Sequence, residues 1–191
     1  GVLVLGPLLA KYGNAKVSLP GGCSIGSRPI DLHLNALKKM GANIKVKNGY
    51  IIASAKKGLK GCLIKFPKIS VGATENILIA ACFAKGKTKI RNCASEPEIL
   101  DLINFLKKLG CKINQVGKRK IDILGVAKLK STVHRVIFDR IEAGTYIIAA
   151  ALTNGNIKIT NVDSKIMSTE IDLLNKMGIK IIKKKKLYNC K

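Results

Sequence analysis

Three segments of this 191-residue chain repeat one pattern at a nearly constant interval. Residues 34–44, 103–113 and 172–181 each read as an apolar stripe, a glycine stop and a β-rich stretch, with the stops Gly41, Gly110 and Gly178 spaced 69 and 68 residues apart. A period of that length restricts the chain to architectures in which each unit buries its apolar face on a neighbour. The spacing of Leu34, Leu37 and Met40, matched by Ile103, Leu106 and Leu109, predicts helices with one buried face, closed where a left-handed residue is needed. Asn48-Gly49, set between alternating residues 44–47 and 50–52, predicts a two-residue hairpin, with counterparts at 116–120 and in the lysine run 183–186.

A second helix recurs upstream of each of these. Residues 73–85 and 144–154 end at Gly86 and Gly155, again 69 apart, and residues 6–13 are a shortened first copy. Strands are expected after each, at 15–19, 87–91 and 156–160. The unit is therefore strand, helix, strand, helix, strand, strand, and the chain holds most of one copy, one whole copy and most of a third. Such units bury sheet on helix, so the fold class is α/β (α+β), built by repetition.

Composition agrees with a globular core, since 47% of the residues are hydrophobic and no low-complexity tract exceeds the run at 183–186. No apolar stretch is long enough to span a bilayer. The opening residues 1–10 are apolar but lack a basic leader and an initiator Met, so the chain is expected to begin inside a longer protein rather than with a signal peptide. The formal net charge of +24 raises nucleic-acid binding, yet only five of the 35 basic residues are Arg and aromatics make up 4%, so the lysines are read as surface decoration. Six cysteines show no C-x-x-C pair and no histidine at zinc-ligand spacing, and no metal or cofactor is expected. Cys62, Cys82, Cys93 and Cys111 lie among apolar or small residues and read as core thiols of a reduced, cytoplasmic protein. His33 and His134 have no neighbours suggestive of a triad and read as structural.

One cysteine has a chemical setting. Residues 19–29 place Cys23 among Gly21, Gly22 and Gly26, five positions before Arg28, in a stretch whose glycines and prolines oppose helix and strand. A nearby guanidinium lowers a thiol pKa from about 8.5 and also holds an anionic substrate beside the sulfur. A small buried cysteine beside a turn fits the same residues.

The loop 19–29 with Ile30-Asp31-Leu32-His33 after it, the segment Lys68-Ile69-Ser70-Val71-Gly72-Ala73-Thr74, the segment Glu96-Pro97-Glu98-Ile99, and Asp139-Arg140-Ile141-Glu142 occur in the order and spacing of the UDP-N-acetylglucosamine 1-carboxyvinyltransferase family. The chain resembles these MurA-type enolpyruvyl transferases over essentially its whole length. That resemblance implies an inside-out barrel of two domains, each of three repeats around inward-packed helices, with substrate between them. Residues 1–137 would be the second and third repeats of the catalytic-loop domain, and 138–191 the incomplete first repeat of the other.

The reaction so implied moves the enolpyruvyl group of phosphoenolpyruvate to the 3-hydroxyl of UDP-N-acetylglucosamine, as the first committed step of peptidoglycan synthesis and so of cell shape and division. In that reading Cys23 is the acid toward the phosphoenolpyruvate methylene, forms a covalent adduct, and is the thiol that fosfomycin alkylates. Arg28 contacts phosphate. Pro29, Ile30, Asp31 and Leu32 form a uridine-side loop, where Asp31 accepts from an imide or hydroxyl and also suits a helix cap. Lys68, Ile69, Ser70 and Val71 match a second nucleotide stretch, read physically as a strand running into a helix start at Gly72, whose free amides and the Ser70 hydroxyl suit a diphosphate. Glu96, Glu98 and Arg140 match further motifs and equally suit structural ion pairs. The same resemblance implies a cytoplasmic monomer without nucleic-acid or membrane partners. Parts of the family's site, namely a Lys-Asn pair, an arginine before Gly1, and an aspartate and a late arginine of the second domain, are expected outside this sequence, so the piece alone is expected to be inactive and its end repeats to expose apolar faces. Two other readings compete, a shikimate-3-phosphate enolpyruvyl transferase, which lacks a Cys loop of this kind, and a non-catalytic lysine-rich binding module.

Overall fold

A computed structural model describes residues 1–21 and 30–183. The chain divides into two compact units, Gly1–Arg135 and Val136–Lys191.

After a 3-10 turn at Val2–Val4, the first unit runs α1 (Leu5–Tyr12), β1 (Asn14–Ser18), α2 (Asp31–Lys39), β2 (Asn43–Lys47), β3 (Tyr50–Ser54), β4 (Leu63–Lys65), α3 (Val71–Ala81), β5 (Lys87–Arg91), α4 (Pro97–Lys108), β6 (Lys112–Gly117) and β7 (Lys120–Leu124). The segment from β4 to β7 is one complete repeat, and α1 to β3 is the same order without its leading strand. Sheet order repeats too. β3 lies between β1 and β2, and β7 between β5 and β6, all antiparallel, while β4 adds in parallel to the outer edge of β5 through the α3 crossover.

The Asn-Gly turn forms as the sequence predicts, with Lys47 opposite Tyr50 and both Asn48 (φ 50°) and Gly49 (φ 75°) left-handed, the type I′ geometry that matches strand twist. In the second hairpin Arg119 takes φ 58°, and a bulge between Gln115 and Gly117 absorbs the extra residue. Each strand alternates. Val17, Ile44, Ile51, Ile64, Ile90, Ile113 and Ile123 face one continuous core, while Lys16, Lys45, Lys65, Lys89 and Lys112 face outward.

α3 sits at the centre of that core and packs against α1, α2 and α4. Its apolar residues are spread round the whole circumference, which is what a helix covered on most sides requires, and Ala73, Ile77, Leu78, Ala80 and Ala81 are fully buried. It stops at Ala81, short of the expected residue 85, because Cys82, Phe83 and Ala84 tighten into i to i−3 hydrogen bonds onto Ile79, Ala80 and Ala81. β4 also does not run into α3 as the sequence suggested. Pro67 lacks the amide a ladder needs, so residues 66–70 form a loop and the helix begins at Val71.

The second unit contains α5 (Arg140–Leu152) and α6 (Ser168–Lys176), around a small core of Ala143, Met167 and Ile171. α5 begins four residues before the expected 144, because Asp139 Oδ1 accepts from the amides of Ile141 (2.8 Å) and Glu142 (3.1 Å) and caps the first turn. The strands expected at 156–160 and 179–181 are absent among the described residues. A strand exists only by pairing, and in the first unit β5 pairs with β7; the counterpart of β7 by the repeat falls in residues 184–191, with most of the lysine run, outside the described residues. No helix among the described residues is long and apolar enough to cross a membrane.

Candidate active site

α2, α3 and α4 bring their N-termini together at one end of the first unit. Ser70 is the N-cap of α3, with its Oγ accepting from Ala73 N at 3.3 Å and its carbonyl accepting from the Thr74 hydroxyl at 2.7 Å. Thr74 Oγ1 in turn accepts from the amide of Ala94 at 3.0 Å, which draws the approach to α4 against the first turn of α3. Ser70 caps only one orphan donor, and the amides of Val71 and Gly72 have no acceptor among the described residues. Those two N–H groups and the positive end of the helix form a surface suited to an anion.

α2 joins the cluster through a buried polar knot. Gly6 N donates to Asn76 Oδ1 at 2.8 Å, and Asn76 Nδ2 stands 3.0 Å from both the Val2 carbonyl and His33 Nδ1. Asn76 is wholly buried, so this set of partners satisfies an amide that would otherwise be costly in a core. His33 then lies against the start of α3, where a Cβ built on Gly72 would stand 3.5 Å from its Cε1 and 3.7 Å from its Nε2. Burial holds the His33 pKa below its ordinary value, with Asp31 opposing.

Acidic groups border the same end. Burial, with Glu98 nearby, raises the Glu75 carboxyl above the usual carboxylate range. Glu96 is the N-cap residue of α4, its Oε2 accepts from Ser95 N, and Pro97 follows at the first helical position.

Asp31 and Leu32 are not a loop. They form the first turn of α2, with Ile30 as the N-cap residue, so Asp31 sits one position inside the cap and lends its charge to the helix end instead of capping it. The Leu32 side chain is buried in the core and can meet a ligand only through its backbone, whereas Asp31 is exposed. Lys68 and Ile69 are exposed on the loop before α3, and Ser70, Val71 and Gly72 are half-buried at its start. Cys23, Arg28 and Pro29 lie outside the described residues. Arg140 belongs to the second unit, where its Nη1 is 3.6 Å from Glu170 Oε1.

Sequence reading missed Asn76. The available signal was its helical position, three residues after Ala73 and four before Ala80 and directly before the apolar run 77–81, which sets an amide on a buried face where it demands partners. The other chemistry-bearing groups are accounted for structurally. His134 Nε2 is 3.0 Å from Asp101 Oδ1 against the Phe105 ring. Cys82, Cys93 and Cys111 are buried free thiols, and Cys62 is a half-buried one. A hydrogen bond with Cys111 and burial push the Cys82 thiol up, and burial does the same for Cys62 and Cys93. Among the described residues no group of three His, Cys, Asp or Glu side chains is placed to hold a metal ion.

Comparison with known proteins fits this arrangement of repeats. The family profile of EPSP synthase (3-phosphoshikimate 1-carboxyvinyltransferase) matches residues 1–189. The chain belongs to the EPSP synthase family. Within that family it is 63% identical, over 97% of its length, to the UDP-N-acetylglucosamine 1-carboxyvinyltransferase of Pelagibacter ubique, and covers 44% of that protein. It is 53% identical to the enzyme of the same name from Endomicrobium trichonymphae, over 93% of the chain and 43% of the relative. The chain thus spans a little under half the length of the curated relatives it matches. Among solved structures, the enolpyruvyl transferase NikO from Streptomyces tendae superposes with a TM-score of 0.72 at 22% identity, over 95% of this chain and 44% of NikO. EPSP synthase from Acinetobacter baumannii gives 0.64 at 22% identity, over 93% and 41%. At such identities these two speak for the fold alone.

Proposed function

We propose that the whole protein transfers the enolpyruvyl group of phosphoenolpyruvate to the 3-hydroxyl of UDP-N-acetylglucosamine with release of phosphate. The observation that carries this reading is the 63% identity, over 97% of the chain, to a relative of that name. The shikimate-3-phosphate alternative keeps only the family profile and structural likeness at 22% identity in its favour.

In this reading the first unit supplies the second and third repeats of the catalytic-loop domain and the second unit opens the other domain. The sugar nucleotide lies at the N-termini of α2 and α3. Asp31 accepts from the uracil or ribose, and the amides of Val71 and Gly72 with the Ser70 hydroxyl donate to the diphosphate. Lys68 adds positive charge, and Arg28 receives the phosphate of phosphoenolpyruvate. Cys23 protonates the methylene carbon as the sugar 3-hydroxyl, giving up its proton to a base of the whole protein outside this sequence, attacks the adjacent carbon, which leaves a tetrahedral ketal and a Cys23 thiolate. The thiolate then takes a proton back from the new methyl group as phosphate departs, which restores the enol double bond. Glu96 and Glu98 serve as structural acids bordering this end of the first unit, and Arg140 has a structural role in the second unit, beside Glu170. Peptidoglycan synthesis, a cytoplasmic monomeric enzyme and alkylation of Cys23 by fosfomycin belong to the same proposal.

Phosphate release by the whole protein with both substrates tests it. The expected result is turnover that Cys23→Ala abolishes and that stops as fosfomycin adds its mass to the peptide holding Cys23. Turnover unchanged in Cys23→Ala contradicts the assigned role of the thiol.

A further inference from the structure

The protonation of the buried knot follows from its hydrogen bonds alone. Gly6 N can only donate, so the Asn76 atom facing it at 2.8 Å is the oxygen. The Val2 carbonyl can only accept, so the atom 3.0 Å from it is the amide nitrogen. That nitrogen is also 3.0 Å from His33 Nδ1 and has only protons to offer, so Nδ1 must be the acceptor. A neutral His33 therefore carries its proton on Nε2.

His33 Nε2 has no hydrogen-bond partner among the described residues, although the residue is only 7% exposed. Nε2 is not among the enclosed side-chain atoms left without a partner, so this edge of the buried ring opens to solvent and to whatever binds there. The edge bearing Cε1 and Nε2 lies over Gly72, the second residue of α3, beside the two uncapped amides. An acceptor arriving at that helix end would meet three donors in one place, Val71 N–H, Gly72 N–H and His33 Nε2–H.

We propose that His33 is a specificity residue of the nucleotide site, its Nε2–H aimed by Asn76 at a phosphate oxygen held over the N-terminus of α3. This rests on the sugar-nucleotide reading above. Asn76 acts through His33 and is a positioning residue: it excludes the tautomer that would present a lone pair to the anion. A neutral donor adds no positive charge. It favours an acceptor at one defined position and supports the orientation of a diphosphate already drawn to the helix end.

The test is calorimetric titration of the whole protein with UDP-N-acetylglucosamine and with UDP, for the unaltered protein, His33→Phe and His33→Gln. Phe keeps the ring and loses the donor. Gln offers its carbonyl to Asn76 and its amide outward, as the imidazole does. The expected result is a Kd raised about tenfold or more for both ligands in His33→Phe and largely restored in His33→Gln, with melting temperatures of the two variants close together. In the unaltered protein, nitrogen-resolved NMR of the His33 ring should show the Nε2–H tautomer, with that proton moving downfield when UDP is added. Equal affinity of His33→Phe and the unaltered protein overturns the inference and leaves the nucleotide site standing. A loss confined to UDP-N-acetylglucosamine overturns the phosphate assignment, and failure of the unaltered protein to bind either ligand overturns both this inference and the reading beneath it.

Discussion

The amide of Gly6 donates to Asn76 Oδ1 at 2.8 Å, and a Cβ at position 6 would collide with that oxygen and with the Asn76 carbonyl. One glycine thus lets α1 approach α3 closely enough to anchor the amide that orients His33. Gly6→Ala is predicted to destabilise the first unit by about 2–4 kcal/mol, since it forces overpacking and leaves a buried amide without its donor. Urea unfolding checks this, with a lowered midpoint expected and an unchanged one contradicting the role of the contact.

His33 makes stability depend on pH. Burial lowers its pKa in the folded state, so the unfolded chain takes up the proton first as pH falls. Its contribution is complete above the unfolded value of about 6.5 and declines as pH drops from there toward the folded value. Protonation also puts a donor on Nδ1, against the Asn76 donor. Chemical denaturation between pH 7.5 and 5 should show a decline that is shallower in His33→Gln.

Asp122 works at lower pH. It stands opposite Lys89 in the β5–β7 ladder, with Lys87 Nζ at 2.9 Å and Arg91 Nη1 at 2.8 Å on the diagonals. The Lys87 hydrogen bond lowers its pKa, burial opposes, and Arg91 adds to the lowering. Its stabilising contribution is therefore present above the ordinary carboxylate pKa and is lost as pH falls through the lower folded value. Asp122→Asn should flatten the acid limb of the stability curve and leave the exposed Lys87 and the half-buried Arg91 without their carboxylate at neutral pH.

Asp139→Ala is predicted to cost the second unit about 1 kcal/mol, because the amides of Ile141 and Glu142 lose their acceptor. Asp139→Ser should recover most of it. Hydrogen exchange localised to residues 140–143 reads this directly, and equal protection in all three proteins contradicts the cap.

The repeat was the legible part of the fold. Glycines at a fixed spacing, one apolar stripe per helix and a single Asn-Gly turn mark α2, α4, β2 and β3 because those signals are local. Element ends that depend on other groups were not legible: the first turn of α5 is set by a cap and the end of α3 by a tightening turn, while the strands expected at 156–160 and 179–181 do not form among the described residues. At the candidate site, Ser70 and Asp31 were visible as residues of the right kind. Their juxtaposition was not, since it runs through Asn76 and His33, 43 residues apart, and through a glycine 70 residues away from Asn76.

The choice of acceptor is the central claim, and a competition experiment decides it. The whole protein, given phosphoenolpyruvate with equal concentrations of UDP-N-acetylglucosamine and shikimate 3-phosphate, should release phosphate and yield by mass spectrometry only the enolpyruvyl derivative of the sugar nucleotide. Enolpyruvyl shikimate 3-phosphate as the product, with the sugar nucleotide recovered unchanged, would contradict the account.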